Sequence, residues 1–319
     1  MNFWKDRRVL VTGAHGFVGR NLMNLLEGMQ DENEFEILAP SRTELDLTKE
    51  EQVAPYFKAN KPHIVLHLAG KVGGIYANKT HPGEFFYQNI MMGTLVMHYS
   101  HLYGAEKVVA LAAGCGYPKM LPVPYTEEDF WRDLPDENSI GYSMAKKNLI
   151  IQSWTYREQY GFNSVVLLPA NLYGPYDNFD LETSHVVPAL IRKFLEAKER
   201  GDKEVVVWGT GIASREFLYS VDTAKAIIDM AEKVNETGPF NLGTGTETTI
   251  KVLIETIKEA TGFEGEIIWD TTKPDGQPRR FYDMTRFRNA LGYAPSTLLS
   301  VGIKETVKWY EENYSVTRT

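Results

Sequence analysis

Residues 8–29 read RVLVTGAHGFVGRNLMNLLEGM, and the order of residue types within them decides the fold. The opening run, 8–13, is apolar without polar alternation, as in a strand covered on both faces. Gly13, Gly16 and Gly19 follow at three-residue spacing, and from Phe17 the apolar positions take up a helical period. A strand that turns through glycines into a helix leaves free N–H groups at the helix start. Together with the helix dipole they make a seat for a pyrophosphate. Glycines also serve an ordinary strand-to-helix turn, so the rest of the chain must decide.

The unit repeats. FEILAP (35–40), HIVLHLAG (63–70), KVVALAAG (107–114) and SVVLLPANLYG (164–174) are further apolar strands. Residues 50–60, 83–104 and 142–161 carry helical periodicity. Such alternation predicts an α/β fold, a doubly wound parallel (Rossmann-like) sheet whose ligands bind beyond the strand C-termini. Past residue 175 the pattern loosens into helices at 185–200, 248–262 and 301–314 and strands at 204–209 and 239–245. We expect a nucleotide-binding domain over 1–174, rejoined by 210–245. A smaller, interleaved C-terminal substrate domain takes 175–209 and 246–319.

The 319 residues carry a net charge of −8 and one cysteine. One cysteine forms no internal disulfide, and MNFWKDRRVLVTG lacks the apolar core of a secretory signal, so a cytoplasmic setting is expected. No run approaches the roughly 20 apolar residues that span a bilayer, and no membrane partner is expected. Nucleic acid is disfavoured by the acidic balance, because its phosphates demand a basic face. No metal site is expected.

The end of the second strand selects the cofactor. A ribose with a free 2′-hydroxyl wants Asp or Glu there, whereas Ala39, Pro40 and Ser41 here lead into Arg42. A guanidinium beside a hydroxyl suits a 2′-phosphate, and Arg20 offers a second positive charge, so NADP(H) is expected over NAD. Further on, GYSMAKK (141–147) sets Tyr142 and Lys146 four residues apart on one helix face. An ammonium near a phenol lowers its pKa from about 10, readying it to pass a proton to a carbonyl oxygen as hydride reaches the carbon. The lone thiol, Cys115 in LAAGCGYP (111–118), reads as either small buried filler or a reagent. His185 is equally open. Arg215, Lys273, Arg279 and Arg280 form the clearest cationic cluster for a diphosphate.

Six segments narrow the choice: AGKVGGIYANKTHPGEFFYQN (69–89), CGYPK (115–119), NLYGPYDNF (171–179), SHVVPALIRKF (184–194), VVVWGTGIASREF (205–217) and TKPDGQPRR (272–280). With the glycine turn and the Tyr142/Lys146 pair, they resemble the GDP-L-fucose synthases among the extended short-chain dehydrogenase/reductases. That family epimerises C3 and C5 of GDP-4-keto-6-deoxy-D-mannose and then reduces C4 with NADPH. The resemblance implies that Cys115 and His185 are the acid/base pair for epimerisation, beside Tyr142 and Lys146. It implies cofactor contacts from Gly13, Gly16, Phe17, Val18, Gly19, Arg20, Arg42, Asp46, Leu47, Ala69, Lys146, Pro169, Asn171 and Leu172. Implied substrate contacts are Asn171, His185, Lys193, Trp208, Arg215, Lys273 and Arg280.

Four positions before the tyrosine of the CxYP segment the family carries a hydroxyl residue, and here that position is Ala113. Tyr142 remains to protonate the C4 oxygen, with Tyr117 as a substitute donor. The family also implies a homodimer packed through 83–104 and 142–161. Alternatives are a 4-ketoreductase or epimerase of another nucleotide-linked sugar, a heptose included, and an NADP-binding sensor without turnover.

Overall fold

Strand β1 (Arg8–Thr12) buries Val9, Leu10 and Val11 completely, which only a sheet covered on both faces allows. The structure is a computed structural model describing residues 2–181 and 183–314; Met1 and 315–319, at the ends of the expected domains, lie outside the described residues. After β1 come α1 (Phe17–Asn33), β2 (Glu36–Leu38), α2 (Glu50–Asn60), β3 (Ile64–His67), α3 (Ile75–Thr80), α4 (Pro82–Leu102), β4 (Lys107–Leu111), α5 (Ile140–Tyr160) and β5 (Ser164–Pro169). The second half adds β6 (Asn171–Tyr173), α6 (Val186–Arg200), β7 (Glu204–Trp208), β8 (Ser214–Arg215), β9 (Phe217–Tyr219) and α7 (Ser220–Lys233). It closes with β10 (Phe240–Leu242), β11 (Thr248–Thr249), α8 (Ile250–Thr261), β12 (Glu266–Asp270), α9 (Thr285–Leu291) and α10 (Leu299–Tyr314).

Six strands form the central sheet in the order β10-β5-β4-β3-β1-β2, every pairing parallel. Successive residues alternate between two apolar clusters. Val9, Val11, Ile64, Leu66 and Val109 join one, and Leu10, Val65 and Val108 the other. Each fully buried side chain of this kind contributes about 1.5–3 kcal/mol, which is why the strands carry no polar face. The sequence expectation of a doubly wound parallel sheet is met.

A third cluster gathers Val187, Ile191 and Phe194 of α6, Val205 and Val207 of β7, Leu253, Ile254 and Ile257 of α8, and Ile303 and Val307 of α10. Its small parallel sheet pairs β7 with β12. Tyr282, Met284 and Phe287 pack instead with the first cluster, so the chain returns to the main sheet before α10 leaves it again.

One expected strand is two. SVVLLPANLYG was read as continuous, but β5 lies in the main sheet while β6 pairs with β9. Pro169, with no N–H for a ladder, closes β5, and the Ala170 amide goes to the Leu242 carbonyl at 2.9 Å. Among the described residues no helix is long and apolar enough to cross a membrane.

Candidate active site

The glycine turn closes on itself. Gly13 takes φ +75°, and a Cβ at Gly19 would fall 2.0 Å from the Gly13 carbonyl oxygen. Beyond the turn lies a cleft lined by Gly13, Gly16, Arg42, Asp46, Leu47 and Ala69 of the expected contacts, together with Thr12, Ser41, Thr48, Lys71 and Gln88. Asp46 accepts from the Thr48 hydroxyl at 2.7 Å and its amide at 3.0 Å, which holds the carboxyl below its usual range. Glu44 is likewise engaged by the Ser41 amide at 2.7 Å. With the nearby carboxylates held in this way and Arg42 on the wall, the cleft fits a dinucleotide bearing a 2′-phosphate.

Phe17, Val18 and Gly19 form the first turn of α1, behind the cleft. Arg20 is not among the cleft residues; its guanidinium stands 5.5 Å over the Tyr176 ring. His15, absent from the sequence reading, lines the cleft with Nε2 3.3 Å from the Ala39 carbonyl. Pro169, Asn171 and Leu172 lie at the β5–β6 junction, where the Asn171 side-chain Nδ2 donates to the Glu216 carbonyl at 2.9 Å.

Tyr142 and Lys146 sit at the head of α5, with Tyr142 edge-on to Phe85 at 6.4 Å between ring centroids. The Lys146 ammonium donates to the Leu111 carbonyl at 3.1 Å and stands 6.0 Å from the Tyr142 ring centroid. The expected lowering of the Tyr142 pKa is not found. Burial raises the phenol and the neighbouring Cys115 adds to the rise, while burial also brings Lys146 down to about 8. Tyr142 is thus held protonated, the form that donates. Beneath the glycine turn, His67 accepts or shares the Thr12 hydroxyl at 2.7 Å and stays neutral, its pKa lowered to about 3 by burial.

Cys115 occupies a single 3₁₀ turn, Gly114–Gly116, at the end of β4, and is half-buried. Burial pushes the thiol up; the Ser143 hydroxyl, Arg280 and Lys146 pull it back. Tyr117 does not supply the hydroxyl that Ala113 lacks. Its own hydroxyl is buried against Asn241 Oδ1 at 2.5 Å, and the ring packs at a tilt against Tyr125 and Tyr282. The hydroxyl above the turn belongs to Tyr282, against which a Cβ on Gly114 would stand at 1.9 Å.

His185 heads α6 with part of its surface exposed, yet enough protein crowds it that desolvation holds its pKa below the ordinary histidine value. Its segment approaches the α5 head through the turn before α3: Gly74 faces the Thr183 carbonyl, and Gly73 faces Phe85, the ring against Tyr142. In the cationic loop, Arg215 Nη1 donates to the carbonyls of Ser214 (2.7 Å) and Gln277 (2.5 Å). Arg280 faces Cys115 and Tyr282, while Arg279 is taken up in a two-point fork with Glu247 at 2.7 and 2.6 Å. Lys193 donates to the Val206 carbonyl at 2.5 Å. Trp208 is 69% exposed, an open ring with the Lys273 ammonium 5.6 Å from its centre.

A parallel sheet with a glycine turn at its first crossover, a Tyr–Lys pair beyond the fourth strand and a loop arginine beside Cys115 define a dinucleotide-dependent enzyme class. Residues 9–243 match the NAD dependent epimerase/dehydratase family. GDP-L-fucose synthase 1 of Arabidopsis thaliana is 39% identical over 97% of this chain and 94% of its own. A GDP-6-OMe-4-keto-L-xylo-heptose reductase from C. jejuni has a TM-score of 0.88 and 30% identity, covering 98% of this chain and 99% of that one. A GDP-L-fucose synthetase from Naegleria fowleri bound to NADP has a TM-score of 0.87 and 27% identity, covering 100% and 98%. The chain belongs to the NAD dependent epimerase/dehydratase family and, within it, to the GDP-L-fucose synthases.

Proposed function

We propose that the protein is a cytoplasmic, NADPH-dependent epimerase/reductase converting GDP-4-keto-6-deoxy-D-mannose to GDP-L-fucose. The observation that carries this reading is the Cys115 thiol set against the Tyr142–Lys146 helix, with Arg280 among the charges that face it. Arg42 and Ser41 in the cleft, and the NADP-bound relative, support the cofactor.

A 4-keto group acidifies the hydrogens on C3 and C5. Cys115 and His185 handle those protons, one removing a proton from one face of the ring and the other returning one to the opposite face. The lowered pKa of His185 favours its neutral, basic form at pH 7. Held by the glycine turn, Ser41 and Arg42, NADPH would supply the hydride that C4 needs. Tyr142 gives its proton to the C4 oxygen, and Lys146 offsets the charge left on the phenolate. Arg215, Lys273 and Arg280 hold the diphosphate, Trp208 flanks the base, and Asn171 and Lys193 reach the sugar and phosphates. Nucleotide binding is assigned to 1–174 and 210–245, and substrate binding mainly to 175–209 and 246–319.

Two copies associate through α4 and α5, which pack together and leave Tyr87, Leu102, Met144, Ile151 and Tyr160 exposed. A second reading, reduction of a GDP-linked heptose, rests on the heptose reductase likeness and on Ala113.

Incubation with GDP-4-keto-6-deoxy-D-mannose in deuterated water tests the proposal. Deuterium at C3 and C5 with NADPH consumption is expected. Tight NADPH binding with neither exchange nor oxidation returns the protein to a sensor, and oxidation only with a ketoheptose supports the second reading.

A further inference from the structure

Ser143 follows Tyr142 on α5 and is completely buried. Its Oγ lies 3.1 Å from the Cys115 carbonyl oxygen and 3.2 Å from Cys115 Sγ. One hydroxyl proton therefore has two acceptors. Behind it, Ser139 Oγ is 3.3 Å from Ser143 Oγ, near enough to donate to that oxygen in turn.

The proton count gives this arrangement two complete states. With a neutral thiol, the S–H donates to Ser143 Oγ while the Ser143 proton goes to the Cys115 carbonyl. With a thiolate, the sulfur has no proton to give. The Ser143 hydroxyl then turns to donate to the sulfur, and Ser139 donates to Ser143 Oγ. No heavy atom needs to move; a hydroxyl rotates about Cβ–Oγ. A hydrogen bond to an ionised acceptor is about twice as strong as a neutral one, so the second state favours the thiolate.

Resting on the assignment of Cys115 to proton transfer, the geometry points to Ser143 as a positioning residue for that thiol. Its hydroxyl changes acceptor as the sulfur gains or loses its proton, keeping Sγ in one place through both halves of the exchange. The other groups facing the sulfur are Lys146 on α5, Arg280 and Tyr282 in the cationic loop, and Tyr142. The two cations favour the thiolate in bulk. Among the described residues Ser143 is the side chain in hydrogen-bond contact with the sulfur, joined only by the backbone amide of Cys115 itself, which turns with the sulfur's own residue and cannot change acceptor.

Cys115 is the one cysteine of the chain, so alkylation by iodoacetamide reads its ionisation directly, without substrate. In the full-length protein with NADPH bound, Ser143→Ala is expected to raise the alkylation midpoint by about one pH unit. Ser143→Thr, which keeps the hydroxyl, should restore it, and Ser139→Ala should shift it by a smaller amount in the same direction. Deuterium exchange by Ser143→Ala at pH 7 should fall about tenfold and recover at higher pH, while NADPH affinity stays unchanged. An unmoved midpoint in Ser143→Ala, or in Ser139→Ala should the first variant not fold, overturns the inference. A shifted midpoint in a protein that exchanges no sugar hydrogen upholds the Ser143–Cys115 coupling and removes the substrate assignment instead.

Discussion

The carboxylate of Glu216 receives the backbone amide of Tyr282 at 2.9 Å, joining the cationic loop to the link between β8 and β9. Its other oxygen takes the amides of Gly245 at 2.6 Å and Thr244 at 2.5 Å. Three backbone donors on one buried carboxylate hold the loop that presents Arg280. Glu216→Ala should therefore cost about 2–4 kcal/mol of stability, since it leaves buried donors unpaired. It should also raise the KM for the nucleotide sugar more than it lowers kcat. Thermal denaturation and steady-state kinetics check the two parts.

Tyr142→Phe separates the two chemistries. Without the phenolic proton, NADPH oxidation should fall by about 10²–10⁴, the usual worth of a positioned acid. Deuterium uptake at C3 and C5 should persist, because Cys115 and His185 are untouched. Mass spectrometry of the recovered sugar nucleotide tests this.

Arg42→Ala addresses the cofactor. Loss of a charge-assisted contact worth about 1.5–3 kcal/mol should weaken NADPH binding roughly 10- to 100-fold and leave NADH binding nearly unchanged. Fluorescence titration with each nucleotide measures the ratio.

Gly114→Ala puts a methyl group 1.9 Å from the Tyr282 hydroxyl and 2.8 Å from the Pro169 carbonyl oxygen. Overpacking of this kind costs about 1–3 kcal/mol. Removing the hydroxyl in a Gly114→Ala/Tyr282→Phe double variant should recover part of the loss, a coupling that urea titration of the four proteins reads.

Lys107 gives a pH signature far from the site. Its ammonium is buried, donating to Asn163 Oδ1 at 3.0 Å and to the Val234 carbonyl, and burial lowers its pKa from 10.5 to about 7. Between those values the unfolded chain binds more protons than the folded one, so this group makes stability rise with pH from about 7 toward 10. Lys107→Met should flatten that part of the curve relative to the parent protein.

The central sheet was legible because fully buried parallel strands leave continuous apolar runs. The Tyr142–Lys146 pair was legible because both residues share one helix. Helix α7 escaped notice although VDTAKAIIDMAEK (221–233) carries the helical period, and β12 escaped because EIIWD is too short to declare a type. The break at Ala170 could not be read, since only β9 pulls Asn171–Tyr173 away from the sheet. Glu216 and Ser143 were silent for the same reason. Each acts on a partner from a distant segment, 66 and 28 residues away, and no local pattern records such a meeting.

The rings of Tyr117, Tyr125 and Tyr282 lie within 5.2–6.5 Å of one another, two residues from Cys115 at one end and two from Arg280 at the other. Sulfur and guanidinium therefore share a single aromatic foundation. Exchanging the 271–282 loop for that of a relative would carry over the aim of the thiol along with the choice of sugar, so the two traits pass between enzymes as one inherited block.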